Sequence, residues 1–231
     1  MVVPPTVRRG VFSAGLALVL VASTAACSSD RGALSAPASV PATGSGVSQG
    51  TGARAIDSIA MVGDSITVRS EDALAEGFSS LGLDVRAIDA ASGRRMTAEA
   101  GGDGTGLSAI AALAAADPPD LWVIALGSND VYQYDSAEEY RDQIVTLLDA
   151  IPPDAPIVWV DTYLADDPAR SDEFNQALRD TLAFRGTSTV ADWAAVAPAD
   201  GVLSDGIHPS DQGTQQFADV VITAVEPWMA G

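Results

Sequence analysis

Lysine is absent from the 231 residues, and the 12 cations are all arginines. They stand against 31 acidic residues, for a formal net charge of −19 and a pI near 4.1. So few scattered cations cannot form the broad basic face that a nucleic-acid binder needs, and no nucleic-acid partner is expected. Cysteine occurs once, as Cys27, which excludes a disulfide framework. Histidine also occurs once, as His208, so an all-protein zinc site would rest almost wholly on carboxylates. Neither a metal nor another cofactor is therefore expected. Apolar runs of about 20 residues, which a multi-pass membrane protein needs, are lacking beyond one shorter run at the N-terminus. What remains is an acidic, soluble, globular chain. A chain of this length is expected to form one domain that buries roughly 70% of its unfolded surface. The missing lysine and abundant alanine read as compositional bias and carry no functional inference.

The first residues read as an address. Arg8 and Arg9 precede the apolar run at residues 11–22, and the small residues Ser23, Thr24, Ala25 and Ala26 follow. A positive start, an apolar stretch of about a dozen residues and a small-residue exit describe a secretory signal over residues 1–26. The run is too short for a comfortable membrane-spanning helix. Cys27 then stands where a lipidated cysteine stands in bacterial lipoprotein signals, which this segment resembles. Thr24 departs from that pattern, where an aliphatic residue is usual. Ordinary cleavage after Ala26 is the alternative. Either route leads to export: an outward-facing membrane lipoprotein or a secreted protein. Residues 27–54 are rich in Ser, Gly, Pro and Ala, cannot bury enough surface to offset their ordering entropy, and read as a tether. The remaining residues, 55–231, are the expected folded domain.

Within it, short apolar runs alternate with helical periodicity. Strands are expected over residues 56–62, 83–91, 121–126, 157–160 and 188–193. Helices are expected over 69–81, 106–116, 136–150, 171–184 and 210–225. Pro118, Pro152 and Pro227 act as stops, and Ser136 with Glu139 forms a capping box. Trp122 and Trp159 fall inside strand runs and are expected in the core. Alternation of this kind implies an α/β fold, a three-layer α/β/α sandwich on a five-stranded, mainly parallel sheet of flavodoxin-like type. In such sheets the strands' C-terminal ends share one edge, where ligands bind.

The residues after those strands are therefore the informative ones. Gly63-Asp64-Ser65 follows the first strand and Ser92-Gly93-Arg94 the second. Gly127-Ser128-Asn129-Asp130 follows the third, and Asp205-Gly206-Ile207-His208-Pro209 lies in a loop beyond the fifth. Together they supply a hydroxyl, an imidazole, a carboxylate, an amide and two glycines, the parts of a serine esterase.

These blocks resemble those of the SGNH/GDSL hydrolase family, in that family's order, across residues 56–227. The resemblance implies Ser65 as nucleophile and Asp205 and His208 as the remaining catalytic pair. It assigns Gly93 and Asn129 to an oxyanion hole together with the backbone of Ser65. Ile66 replaces the leucine of the lipase-like first block, a small departure. The chemistry of each residue suits its role. A serine hydroxyl needs a base within hydrogen-bond reach. His208 is the one side chain here whose ordinary titration lies near neutral pH. Asp205, three residues earlier, can turn back to bind the imidazole. Gly93, without a Cβ, lets substrate approach the backbone. Taken singly, each residue has a plainer reading: Ser65 as a turn or cap, Asn129 as an Asx turn, His208 as a loop histidine. Their joint occurrence favours catalysis.

Asp64 reads as a brace of the loop or a substrate contact. Arg94 can receive an anionic part of a substrate, though a solvated pair with Arg95 is the plainer reading. Tyr132 and Tyr134 can wall a sugar ring or an acyl chain, or merely cover the core. Residues 101–106 (GGDGTG) lack the lysine and spacing of a phosphate loop and read as a mobile loop. The expected function is hydrolysis of short-chain esters, acetyl above all, with a small ester or acylated glycan as partner. The alternatives are acyl transfer on a cell-envelope polysaccharide, or a non-catalytic carbohydrate-binding lipoprotein.

Overall fold

The computed structural model describes residues 55–100 and 102–229. The expected signal, Cys27 and the tether lie outside the described residues. Five strands run in parallel in the order β2-β1-β3-β4-β5: β1 (Ser58–Gly63), β2 (Asp84–Ala90), β3 (Leu121–Ala125), β4 (Ile157–Val160) and β5 (Ser188–Ala191). Between them lie α1 (Ser65–Ser80), α2 (Gly106–Ala116), α3 (Ala137–Leu148) and α4 (Pro168–Leu182), and α5 (Asp211–Met229) closes the chain. The three-layer architecture follows from side-chain alternation along the central strands. Leu121, Val123 and Ala125 face one core with Val158 and Val160, while Trp122 and Ile124 face the other with Ile157 and Trp159. The first core is covered by α1 and α5 through Leu74, Phe78, Phe217 and Val221. The second is covered by α2, α3 and α4 through Ile110, Tyr140, Ile144, Phe174 and Leu178. Trp122 and Trp159 are fully buried.

The chain moves from β1 outward to β2, then returns past β1 to β3. This reversal leaves a crevice at the carboxyl ends of β1 and β3, the usual ligand position in such sheets. Gly63 and Ala125 are paired at those two ends. A Cβ on Gly63 would collide with the Thr67 side chain, so the turn into α1 is open only to glycine.

Several boundaries differ from the sequence expectation. Helix α1 begins at Ser65 rather than 69, because Asp64 caps it by accepting from the Ile66 N–H at 2.9 Å. Helix α4 begins at Pro168, capped by Asp167, three residues before the expected Ser171. Strand β5 ends at Ala191, and Trp193 enters a short 3-10 turn where its ring meets Phe217 edge-on at 5.2 Å. Helix α5 continues through Pro227, the expected stop, to Met229. A proline so near the end removes little of the hydrogen-bond ladder, and Trp228 and Met229 gain packing against the α1/α5 core. Among the described residues, no helix is long and apolar enough to cross a membrane.

Candidate active site

Ser65 is the first residue of α1, so the end of β1 and the Asp64 cap together fix its backbone. Its Oγ lies 2.9 Å from Nε2 of His208, 143 residues later in the chain. The opposite ring nitrogen, Nδ1, lies 2.8 Å from Oδ2 of Asp205. The Asp205 Oδ1 accepts the backbone N–H groups of His208 at 2.8 Å and Ile207 at 3.1 Å. These hydrogen bonds, the one from the His208 backbone foremost, hold the Asp205 carboxyl down at about 2. An ionised Asp205 calls for a proton on Nδ1, which leaves Nε2 as an acceptor facing the Ser65 hydroxyl.

The loop carrying Asp205 and His208 is a small closed structure. Leu203 and Pro209 form an antiparallel bridge, and the Ser204 N–H donates to the His208 carbonyl at 2.8 Å. Arg69 on α1 reaches across to Ser204 Oγ at 3.3 Å, tying the loop to the helix that begins with Ser65. On its other side, the Ala165 N–H donates to the Gly206 carbonyl at 2.9 Å.

The expected oxyanion donors sit on the neighbouring loops. Gly93 has φ +74, a left-handed conformation that favours glycine, and a Cβ there would project into open space. Asn129 Nδ2 lies 3.2 Å from the Arg94 carbonyl and 3.3 Å from both Asp64 Oδ2 and Ser128 Oγ. The amide is thereby held between the loops after β1, β2 and β3.

Of the residues read as possible substrate contacts, Asp64 takes the bracing role and Tyr134 the core-covering role that the sequence also offered, while Arg94 is placed otherwise. Asp64 is 1% exposed, and its carboxylate accepts from Ile66 N–H, from Ser128 Oγ at 2.5 Å and from Asn129 Nδ2. Burial pushes its pKa up against those hydrogen bonds. It is the floor of the site, not a surface that meets substrate. Arg94 is 5% exposed and turns inward, donating to the Asp89 carboxylate at 2.8 Å and the Asp89 carbonyl at 2.6 Å. It staples the Gly93 turn to the end of β2 and is neither a receptor for anions nor a solvated partner of Arg95. Tyr134 packs edge-on against Tyr140, ring centres 6.1 Å apart, at the margin of the core. Tyr132 stays exposed.

Two residues that sequence reasoning passed over complete the floor. Ser128 links Asp64 to Asn129. Asp130, fully buried, accepts the Met96 N–H through both oxygens at 3.2 and 3.1 Å, joining the loops after β2 and β3. Desolvation raises its pKa to about 7. Their position after Gly127, in the block that carries Asn129, was the available signal. Among the described residues, no group of three or more His, Cys, Asp or Glu is placed to hold a metal ion.

No protein of curated function matches the chain significantly. Solved structures do. The C-terminal catalytic domain of peptidoglycan O-acetyltransferase A (OatA) from Streptococcus pneumoniae is 20% identical with a TM-score of 0.61, over 77% of this chain and 97% of that one. The esterase EstA from Pseudoalteromonas sp. is 15% identical with a TM-score of 0.60, over 76% and 100%. Est24, a carbohydrate acetylesterase from Sinorhizobium meliloti, is 18% identical with a TM-score of 0.57, over 74% and 98%. At these identities the likeness is one of fold. Residues 57–216, which contain every site residue described above, match the GDSL-like Lipase/Acylhydrolase family, and the chain belongs to that family of carboxylester hydrolases.

Proposed function

We propose that the protein is an exported serine esterase that removes short acyl groups, acetyl foremost, through an acyl-serine intermediate. The observation that carries this reading is the line from Ser65 Oγ to His208 Nε2 at 2.9 Å and from His208 Nδ1 to Asp205 at 2.8 Å. Ser65 Oγ attacks the ester carbonyl carbon as its proton passes to Nε2. The negative charge that develops on the carbonyl oxygen meets the backbone N–H groups of Ser65 and Gly93 and the Asn129 amide. The imidazolium then returns its proton to the leaving alkoxide as the carbon–oxygen bond breaks. Water repeats the sequence on the acyl-serine, releasing the acid and restoring Ser65. Asp205 holds the ring in one tautomer and faces the imidazolium as it forms.

The purified protein is expected to hydrolyse p-nitrophenyl acetate, with Ser65→Ala near the uncatalysed rate. Equal rates for the two would end this reading. Acyl transfer to a cell-envelope polysaccharide is the second reading. The fold likeness to a peptidoglycan O-acetyltransferase domain favours it, and it differs only in that a sugar hydroxyl replaces water in the last step. Adding an acceptor glycan should then divert acetyl from acetate to the glycan.

We also propose export through residues 1–26 with lipidation of Cys27. Labelled palmitate should enter the protein in its host and be lost in Cys27→Ala. An unlabelled wild type would leave a simply secreted enzyme.

A further inference from the structure

Among the described residues, four large hydrophobic side chains are exposed: Val68, Tyr132, Val145 and Phe184. Tyr132 alone of these stands three residues after Asn129 and is tied by hydrogen bond to the loop beside the His208 segment. Its hydroxyl donates to Asp166 Oδ1 at 3.1 Å, and the preceding Ala165 N–H donates to Gly206, two residues before His208. The Arg170 guanidinium carbon lies 5.8 Å from the Tyr132 ring centre. One ring face is thus covered by a cation, the edge is pinned by a carboxylate, and the side chain is still 46% exposed.

A ring held this way is expensive to explain as core cover, since it covers no core. Nor does it suit an acyl chain, because an apolar tail on the free face would lie beside the Asp166 carboxylate and gain little from it. It matches a pyranose ring. The axial C–H groups of a sugar can lie on the free aromatic face, while a hydroxyl at the ring edge donates to Asp166 and Arg170 backs the opposite face. Because the ring is already fixed at its edge and one face, little side-chain entropy is lost on binding.

We infer that Tyr132, with Asp166 and Arg170, forms a subsite for the sugar ring of an acetylated glycoside, on the alcohol side of the ester. This rests on the esterase reading, and it makes Tyr132 a specificity residue that does not touch the reacting atoms.

The test compares mono-O-acetylated methyl glucopyranosides with ethyl acetate, which has no ring to stack. Acid release is followed by pH-stat for wild type, Tyr132→Ala, Tyr132→Phe and Asp166→Ala. Wild type should prefer the sugar ester in kcat/KM. Tyr132→Ala should lower that preference about tenfold, chiefly through a higher KM. Tyr132→Phe should retain most of the preference, since the ring face remains, and Asp166→Ala should fall between. An unchanged unfolding temperature and far-UV spectrum accompany each variant as a check on folding. A preference that Tyr132→Ala leaves within twofold of wild type overturns the subsite. So does a wild type that hydrolyses ethyl acetate as efficiently as the sugar esters, and in both cases the esterase reading stands. A wild type that turns over neither ester sinks the esterase reading itself.

Discussion

Asp64 and Asp205 stand beside the same serine and histidine, one preceding Ser65 in the chain and one bonded to the His208 ring, and they are built in opposite ways. Asp64 is 1% exposed and is held by a cap N–H, a hydroxyl and an amide. Asp205 has a side chain 51% exposed and is held by two N–H groups of its own loop and by the His208 ring. Burial pushes the first carboxyl up, and hydrogen bonds hold the second at about 2. The difference separates two tasks. Asp64 ties the loop after β3 to the start of α1 and, through Asn129, to the loop after β2. Asp205 aims one ring. A carboxylate that orients an imidazole therefore need not be buried if enough donors face it.

The comparison can be broken by mutation, and the largest effects should come from the groups that touch the reacting atoms. Ser65→Ala and His208→Ala should each lower kcat by about 10⁴ or more. The double variant should be little worse than either, because they act as a unit. A double variant that multiplied the two losses would contradict that unit. Asp205→Asn should cost about 10²–10⁴ in kcat with only a small loss in thermal unfolding temperature, since the carboxylate is half exposed and the loop keeps its bridge and its backbone hydrogen bonds. Asn129→Ala should cost about 10²–10³ in kcat, the usual loss for one oxyanion donor.

Asp64→Ala should act through stability. It removes the cap of α1 and strands the Ser128 hydroxyl, together worth about 1–3 kcal/mol. For a domain of this size the melting temperature would fall by about 2–4 °C per kcal/mol. A variant with intact stability and lost activity would move Asp64 from the floor into the chemistry.

The smallest effects are in the pH dependence of stability, and there the buried and exposed carboxyls should have opposite signs. Asp205 has its folded pKa lowered from 3.8 to about 2, so the stability it contributes is present above 3.8 and lost as pH falls through about 2. Asp130 has its folded pKa raised from 3.8 to about 7, so the folded state binds more protons between those values. Its contribution falls as pH rises from about 4 to 7. Denaturant midpoints across that range should decline less in Asp130→Asn than in wild type. A steeper decline in the variant would contradict the assignment of the raised carboxyl.

Much of this is legible in the sequence itself. The continuous apolar runs at β3 and β4 mark strands buried on both faces, and the polar blocks after the strands name the residues that converge. What was illegible depends on contacts between distant parts of the chain. Arg94 next to Arg95 reads as a solvated pair, because nothing local shows that its guanidinium turns back to Asp89 across the Gly93 turn. Tyr132 and Tyr134 read alike, yet one docks on Tyr140 and the other stays on the surface, a choice made by α3 and the loop before α4. The Asp64 cap and the Asp167-Pro168 start were written in the sequence as residue types, but apolar periodicity begins later than the caps and draws the helix starts inward.

The central claim is that one hydroxyl, Ser65 Oγ, is made nucleophilic by His208. Intact-mass spectrometry after treatment with a serine-directed phosphonate, followed by peptide mapping, tests it most directly. A single adduct on Ser65 in wild type, much slower to form in His208→Ala, is the predicted result. No adduct, an adduct on another residue, or equal labelling of the two proteins would contradict the account.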